Sequence, residues 1–152
     1  MDAIDRAILG CLQQDAAMPL AQIAARVGLS STPCWRRIQK LEEQGVIRAR
    51  VTLLDAAKVN LGVTVFVSVR TNQHTAEWLA RFKEAVVDFP EVVEAYRMSG
   101  EVDYLLRVVV PSIDAYDAFY KRLIAKVPLT DVSSSFAMEQ MKFTTALPLD
   151  YA

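Results

Sequence analysis

Residues 29–45 read LSSTPCWRRIQKLEEQG, a stretch that predicts one amphipathic helix. Its expected buried stripe recurs at i, i+4 and i+7 and consists of Cys34, Ile38 and Leu41. Ser30 is a suitable N-cap, Pro33 falls in the first turn where a missing N–H costs nothing, and Gly45 suits the C-terminal cap. The opposite face is polar and cationic, which fits the major groove of DNA better than a protein core.

The composition is that of a globular protein with one domain or two small ones. Apolar residues make up 53% of the 152 residues and charged residues 23%, which does not suit a disordered chain. No apolar run could span a bilayer, and the first residues do not resemble a signal peptide. Cys11 and Cys34 lie on apolar helical faces, and His74 is the only histidine. We therefore expect reduced thiols, a cytoplasmic location, no membrane partner and no metal site.

The net charge of −1 does not by itself indicate a nucleic-acid binder, but the charge is unevenly distributed. Residues 1–50 hold seven Lys/Arg against five Asp/Glu, and the remainder holds ten against thirteen. Five of the seven basic residues lie between Arg36 and Arg50. A focused basic patch on an acidic body is compatible with DNA binding, although an ordinary solvated helix face would look the same.

Two helices are expected before residue 29, of which the second is short. The first carries an apolar stripe of Ile4, Ile8, Leu9 and Leu12. Pro19 opens the second helix, and Gly28 ends it. Two helices joined by a glycine-containing turn, the second with a polar outer face, predict a helix-turn-helix motif. The following Val46-Ile47 and the extended RARVTLL segment indicate a winged variant, so we assign residues 1–50 to this domain and 51–61 to a hinge strand and linker.

The second half of the chain begins with a strictly alternating segment, Val63 to Arg70, which predicts a half-buried strand. The elements expected after it are a helix at about 75–89, strands at 92–98 and 104–110, a helix after Ser112 and a strand at 132–142. The order β-α-β-β-α-β predicts a ferredoxin-like domain over residues 62–145, followed by a C-terminal tail at 146–152. The fold class is therefore α+β.

Both helices of such a domain pack on one side of the sheet. We expect the other side to carry residues such as Phe66, Leu106 or Phe136, which are too apolar to leave in water. The sequence therefore predicts that a second subunit covers this face.

Two stretches together resemble one family of regulators. LSSTPCWRRIQKLEEQGVI resembles the helix-turn-helix signature of the Lrp/AsnC (leucine-responsive, feast/famine) family, and MSGEVDYLLRVVVP resembles the glycine-to-aspartate turn of that family's effector-binding RAM domain. STPCWRR and SSSFAMEQMKFTTALP are similar to a branch that includes regulators of cysteine detoxification. One departure is that Ala16, Ala17 and Met18 stand where members often have a basic residue and a Ser/Thr cap. This departure implies a weaker contact with DNA and an unchanged fold.

The early turns of a recognition helix approach base edges in the major groove of double-stranded DNA. The residues we expect at this interface are Ser31, Thr32, Pro33, Trp35, Arg36, Arg37, Gln39 and Lys40. Arg36 can grip guanine and Gln39 can pair with adenine, whereas Arg37 and Lys40 are expected to touch phosphates. Two alternatives stay open, because Trp35 could pack at the domain junction and Arg37 could pair with an internal acid.

The turn MSGEVDY has chemistry that suits a free amino acid. Its residues are Met98, Ser99, Gly100, Glu101, Val102, Asp103 and Tyr104. Gly100 would let the backbone approach a ligand, Ser99 adds a hydroxyl, and Asp103 could take the ammonium group. The alternative is that Gly100 simply makes a hairpin and Asp103 satisfies its own amides. The resemblance favours binding, in a pocket where dimers meet and where Ser133, Ser134 and Ser135 close it from a neighbour.

The resemblance also implies a mechanism. Dimers would pair two recognition helices with a near-palindromic site and assemble further to an octamer, and an amino acid bound between dimers would favour one assembly. No cofactor is expected. The rival readings are a small ferredoxin-like dimeric enzyme and an RNA-binding winged-helix protein. One histidine, no nucleophile–base pair and no phosphate loop leave little chemistry for an enzyme.

Overall fold

A computed structural model describes residues 1–152, which form two compact units. The first, here called the helical unit, contains residues 1–53 together with 141–152. The second, the sheet unit, contains residues 54–140. The C-terminal tail therefore begins earlier than expected and folds with the N-terminal helices. No helix is long and apolar enough to cross a membrane.

The helical unit contains the three expected helices, which are α1 (Ala3–Gln14), α2 (Leu20–Arg26) and α3 (Ser31–Glu43). Asp2 and Asp5 form a reciprocal capping box at the start of α1, in which each carboxylate accepts the other residue's N–H at 2.9–3.0 Å. Gly28 and Gly45 follow α2 and α3 with φ of +71°, which confirms their role as helix stops. Ser30 stands at the N-cap of α3, but its hydroxyl makes no capping hydrogen bond.

One apolar cluster holds these helices together. Its buried members are Ile8, Leu9, Ile23, Ala24, Cys34, Ile38 and Leu41. The tail contributes Leu149, which packs against this cluster. Burial raises the pKa of the Cys34 thiol, so Cys34 behaves as a small apolar residue of the core.

The wing and the hinge strand are not formed in this chain. Residues 46–56 contain no strand, and a single 3-10 turn, Ala57–Val59, precedes the first strand of the sheet unit. The physical reason is that an extended segment becomes a strand only when a neighbouring backbone pairs with it. This segment leaves Val51, Leu53 and Leu54 exposed.

The sheet unit contains β1 (Val63–Arg70), α4 (Ala76–Asp88), β2 (Val92–Arg97), β3 (Tyr104–Val110), α5 (Ile113–Lys126) and β4 (Asp131–Phe136). The strands lie in the order β2-β3-β1-β4 and every pair is antiparallel. This is the expected ferredoxin-like arrangement. β4 ends at Phe136 and not near residue 142, because Phe136 already pairs with Val65 and β1 offers only two residues before it.

Two of the three residues expected on the open face of the sheet lie on its other face. Leu106 is 0% exposed and belongs to the core beneath α4 and α5. Phe136 lies opposite Val65 on the same helix-facing side, where its ring meets Tyr116 at 5.4 Å. Only Phe66 of the three residues expected on the open face lies there, and the neighbouring Leu105 shares that face through its alternation with Leu106.

Candidate DNA interface and effector site

The outer face of α3 presents its polar side chains to solvent. Of the eight residues expected at DNA, the six that are exposed are Ser31, Thr32, Pro33, Trp35, Arg36 and Lys40. Thr32 and Arg36 are one turn apart on the side of the helix opposite the buried Cys34 and Ile38. A rigid helix with a fixed apolar side and a free polar side can enter a groove without rearranging its core.

Arg37 is engaged inside the helical unit. Its Nη1 donates to Asp2 Oδ2 and to Asp5 Oδ1, both at 2.7 Å. The two carboxylates raise the pKa of Arg37, while the Asp5 backbone N–H and then Arg37 lower the pKa of Asp2. The alternative left open by the sequence, pairing with an internal acid, is the one found here. Arg37 ties α3 to the start of α1 through Nη1, and its side chain remains 33% exposed.

A shallow concavity of about 590 Å³ lies around this ion pair. It is lined by Met1, Asp2, Asp5, Arg36, Arg37 and Lys40. Because Asp2 and Asp5 neutralise Arg37, the cationic character of this surface rests on Arg36 and Lys40.

Trp35 and Gln39 lie on the other edge of α3, beside an apolar cleft of about 170 Å³. The cleft is also lined by Leu12, Met18, Leu20, Ile23, Ile38 and Arg50. Trp35 is 51% exposed, so much of its ring can still meet DNA. Gln39 is half-buried and donates from Nε2 to Glu42 Oε2 at 3.0 Å.

The candidate effector turn joins β2 to β3 and is closed by its own backbone. The Met98 N–H donates to the Asp103 carbonyl at 2.8 Å, and the Asp103 N–H donates to the Val69 carbonyl at 3.0 Å. Gly100 adopts φ of +115°, which favours glycine, and an added Cβ would meet nothing within 4 Å. Within this chain Gly100 is therefore required by the shape of the turn.

Asp103 and Tyr104 are occupied structurally. Asp103 Oδ2 accepts the backbone N–H of Thr71 at 2.8 Å, so the carboxylate satisfies an amide outside the turn and not one of the turn's own. The Tyr104 ring packs in the core against Phe82 at 4.6 Å and Trp78 at 5.7 Å. Met98, Ser99, Gly100 and Glu101 are the exposed part of the turn, while Val102 is half-buried. Sequence reasoning missed Thr71, because only the antiparallel register of β1 and β3 brings it to the turn.

The three serines of β4 do not meet the turn within one chain. Ser133 and Ser135 lie opposite Ser68 and Phe66 on the open face, whereas the Ser134 hydroxyl bonds to the Tyr116 hydroxyl on the helix side. β1 and β3 separate β4 from β2, and neighbouring strands are about 4.8 Å apart. At the nearest approach one strand lies between the two sets, because Val69 of β1 pairs with both Tyr104 and Val132.

The architecture defines a class, that of a helix-turn-helix DNA-binding domain joined to a ferredoxin-like domain. Comparison with known families agrees with both halves. Residues 1–42 match the AsnC-type helix-turn-helix domain, and residues 64–147 match the Lrp/AsnC ligand binding domain.

Among curated proteins, the DNA-binding transcriptional activator DecR of Escherichia coli is 50% identical over 151 residues, covering 99% of both chains. Among solved structures, an AsnC family transcriptional regulator from Agrobacterium tumefaciens is 69% identical with a TM-score of 0.97, covering 99% of both chains. A transcriptional regulator from Neisseria meningitidis, solved as an L-Met complex, is 33% identical with a TM-score of 0.95, covering 99% of this chain and 98% of its own.

This chain therefore belongs to the Lrp/AsnC family. It is a DNA-binding transcriptional regulator with a ligand-binding domain, and not an enzyme.

Proposed function

We propose that this regulator reads a specific double-stranded DNA sequence with α3 and that a free amino acid bound at the sheet unit changes its assembly and hence its DNA affinity. The observation that carries the first half is the exposed face of α3, where Thr32, Arg36 and Lys40 stand free above a closed apolar core. Arg36 offers bidentate donors to a guanine edge, and Lys40 supplies a charge for phosphate.

The proposed effector site uses the exposed side of the turn, where Ser99 supplies a hydroxyl and the Gly100 region supplies backbone groups. The Asp103 carboxylate, one oxygen of which holds Thr71, completes the site by attracting an ammonium group. A ligand-binding domain of the same family and the L-Met complex of the Neisseria meningitidis relative support an amino acid as the ligand.

The assembly is proposed to be a dimer that associates further, to an octamer as the family resemblance implies. Two exposed apolar surfaces support self-association. One is the segment with Val51, Leu53 and Leu54, and the other is the open sheet face with Phe66 and Tyr96. A neighbouring subunit would then place its own Ser133 and Ser135 at the turn, from which β1 separates these serines within one chain.

Selection from a random double-stranded DNA library tests the first half of the proposal. We expect the protein to enrich a near-palindromic motif, since two copies of α3 would read two half-sites. Binding of the library without any enriched motif would contradict the proposal.

Thermal unfolding in the presence of each of the twenty amino acids tests the second half. L-methionine and L-cysteine are tested first. We expect at least one amino acid to raise the midpoint temperature of unfolding, because a ligand that binds only the folded state stabilises it by mass action. Light scattering and DNA titration with the same amino acid should both change. If neither measurement responds to any amino acid, the coupling is wrong.

A further inference from the structure

The carboxylate of Glu42 makes two contacts at the edge of α3. Its Oε2 accepts from Gln39 Nε2 at 3.0 Å, and its Oε1 accepts from Arg50 Nη2 at 2.7 Å. The Glu42 side chain is 34% exposed, and both of its partners, Gln39 and Arg50, line the cleft of about 170 Å³. One acidic side chain thus connects the recognition helix to the segment that follows it.

An ionised carboxylate can only accept hydrogen bonds, and this fixes which end of the Gln39 amide it faces. If the amide of Gln39 turned over, its Oε1 would point at Glu42 Oε2 and the two oxygens would repel each other. The donor end must therefore face Glu42. The only buried side-chain oxygen without a partner is in Glu91, so Gln39 Oε1, which has none within the chain, reaches solvent.

We infer that Glu42 is a positioning residue that holds Gln39 so that its carbonyl oxygen is presented to the DNA as an acceptor. This inference rests on the proposed function and adds to it a preference for particular bases at one position of the DNA site. An acceptor selects a base with a donor in the major groove, which is the N6 amino group of adenine or the N4 amino group of cytosine. Thymine and guanine present oxygen acceptors there and would be disfavoured.

Arg50 completes this arrangement. Its guanidinium holds the second oxygen of Glu42, which leaves the carboxylate little freedom to rotate away from Gln39. The same pair neutralises a negative charge that would otherwise face the phosphates of the DNA. The position of Arg50 eight residues beyond Glu42 explains why the sequence pattern of α3 alone gives no sign of it.

The test is DNA selection with the full chain and three variants, Glu42→Gln, Gln39→Ala and Glu43→Gln. A glutamine at position 42 both donates and accepts, so the Gln39 amide can turn over and donate from Nε2 to an oxygen of thymine or guanine. Glu43 is exposed and adjacent, and its variant removes the same charge from the same helix. It is therefore the matched control for electrostatic gain in affinity.

We expect Gln39→Ala and Glu42→Gln to relax the preference at the same position, each by roughly 2- to 10-fold, which is the value of one hydrogen bond. Glu43→Gln should bind all sequences somewhat better and keep the preference. If Glu42→Gln keeps the wild-type base preference, or if Gln39→Ala changes the base preference at no position of the motif, the inference is overturned. The proposed function would still be supported in that case if the wild type enriches a motif. A wild type that enriches no motif overturns both.

Discussion

The outer face of α3 and the turn at residues 98–104 were both singled out as binding surfaces, yet the structure uses their polar groups in opposite ways. On α3, the side chains of Thr32, Arg36 and Lys40 are exposed. In the turn, Asp103 holds the buried Thr71 through its side chain, and its backbone bonds to both Met98 and Val69.

This difference determines how substitutions in each surface can be interpreted. An exposed helix face can be substituted without cost to stability, so its contribution to binding can be measured directly. A turn whose groups are already paired carries stability and binding together, so a loss of ligand after substitution does not identify a ligand contact. Variants that keep the structural hydrogen bond are needed there.

The largest effect is expected for a substitution on the exposed face of α3. Arg36→Ala should weaken binding to the selected DNA by about 1–3 kcal/mol, because a bidentate contact to a base is lost. The midpoint of thermal unfolding should change little, since the Arg36 side chain is exposed in the free protein. Fluorescence anisotropy titration measures the affinity, and Lys83→Ala on α4, which removes one charge from an exposed position of the sheet unit, is the control. Equal losses in the two variants would reduce Arg36 to a general electrostatic contact.

On the other side of the comparison, Asp103→Ala should lower the free energy of unfolding by about 1–3 kcal/mol, because the buried N–H of Thr71 loses its acceptor. Asp103→Asn keeps an oxygen acceptor and should recover most of this stability. If Asp103 also attracts the ammonium group of an effector, the asparagine variant will be folded but will not respond to the amino acid. Urea unfolding and ligand-dependent thermal shifts separate the two roles, and a responsive Asp103→Asn protein would leave Asp103 with a structural role only.

Features that depend on nearby residues could be predicted from the sequence, whereas features that depend on contacts between distant segments could not. Local periodicity predicts α3, its buried stripe and the alternation of β1, because each depends on neighbours within a few residues. The length of β4 and the location of Phe136 depend on where β1 begins, which is a relation between distant segments. The pairings of Arg37 and Glu42 required three-dimensional proximity that spacing alone does not reveal.

The C-terminal tail gives a smaller effect, which tests whether the helical unit needs the end of the chain. Gln13 exchanges two hydrogen bonds with the backbone of Leu147, and Leu149 packs on the helical core. Leu149→Ala should lower the stability of the helical unit by about 1 kcal/mol, less than for a fully buried leucine because the side chain is half-buried. Tyr151→Ala, at a position 92% exposed, is the control and should change nothing. Identical unfolding curves for the two variants would contradict a role for the tail.

The smallest effect concerns pH and the ion pair that joins α1 to α3. The pKa of Asp2 is lowered by the Asp5 backbone N–H and by Arg37. Ionised Asp2 therefore stabilises the folded state above its unfolded pKa, and this contribution is lost as the pH falls through the lower folded pKa. Urea unfolding between about pH 5 and pH 2 should show a smaller loss of stability with acid in Asp2→Asn than in the wild type. Asp150→Asn, an exposed aspartate of the same unit, should keep the wild-type slope. A wild-type slope in Asp2→Asn would mean that the pair positions Arg37 without stabilising the helical unit.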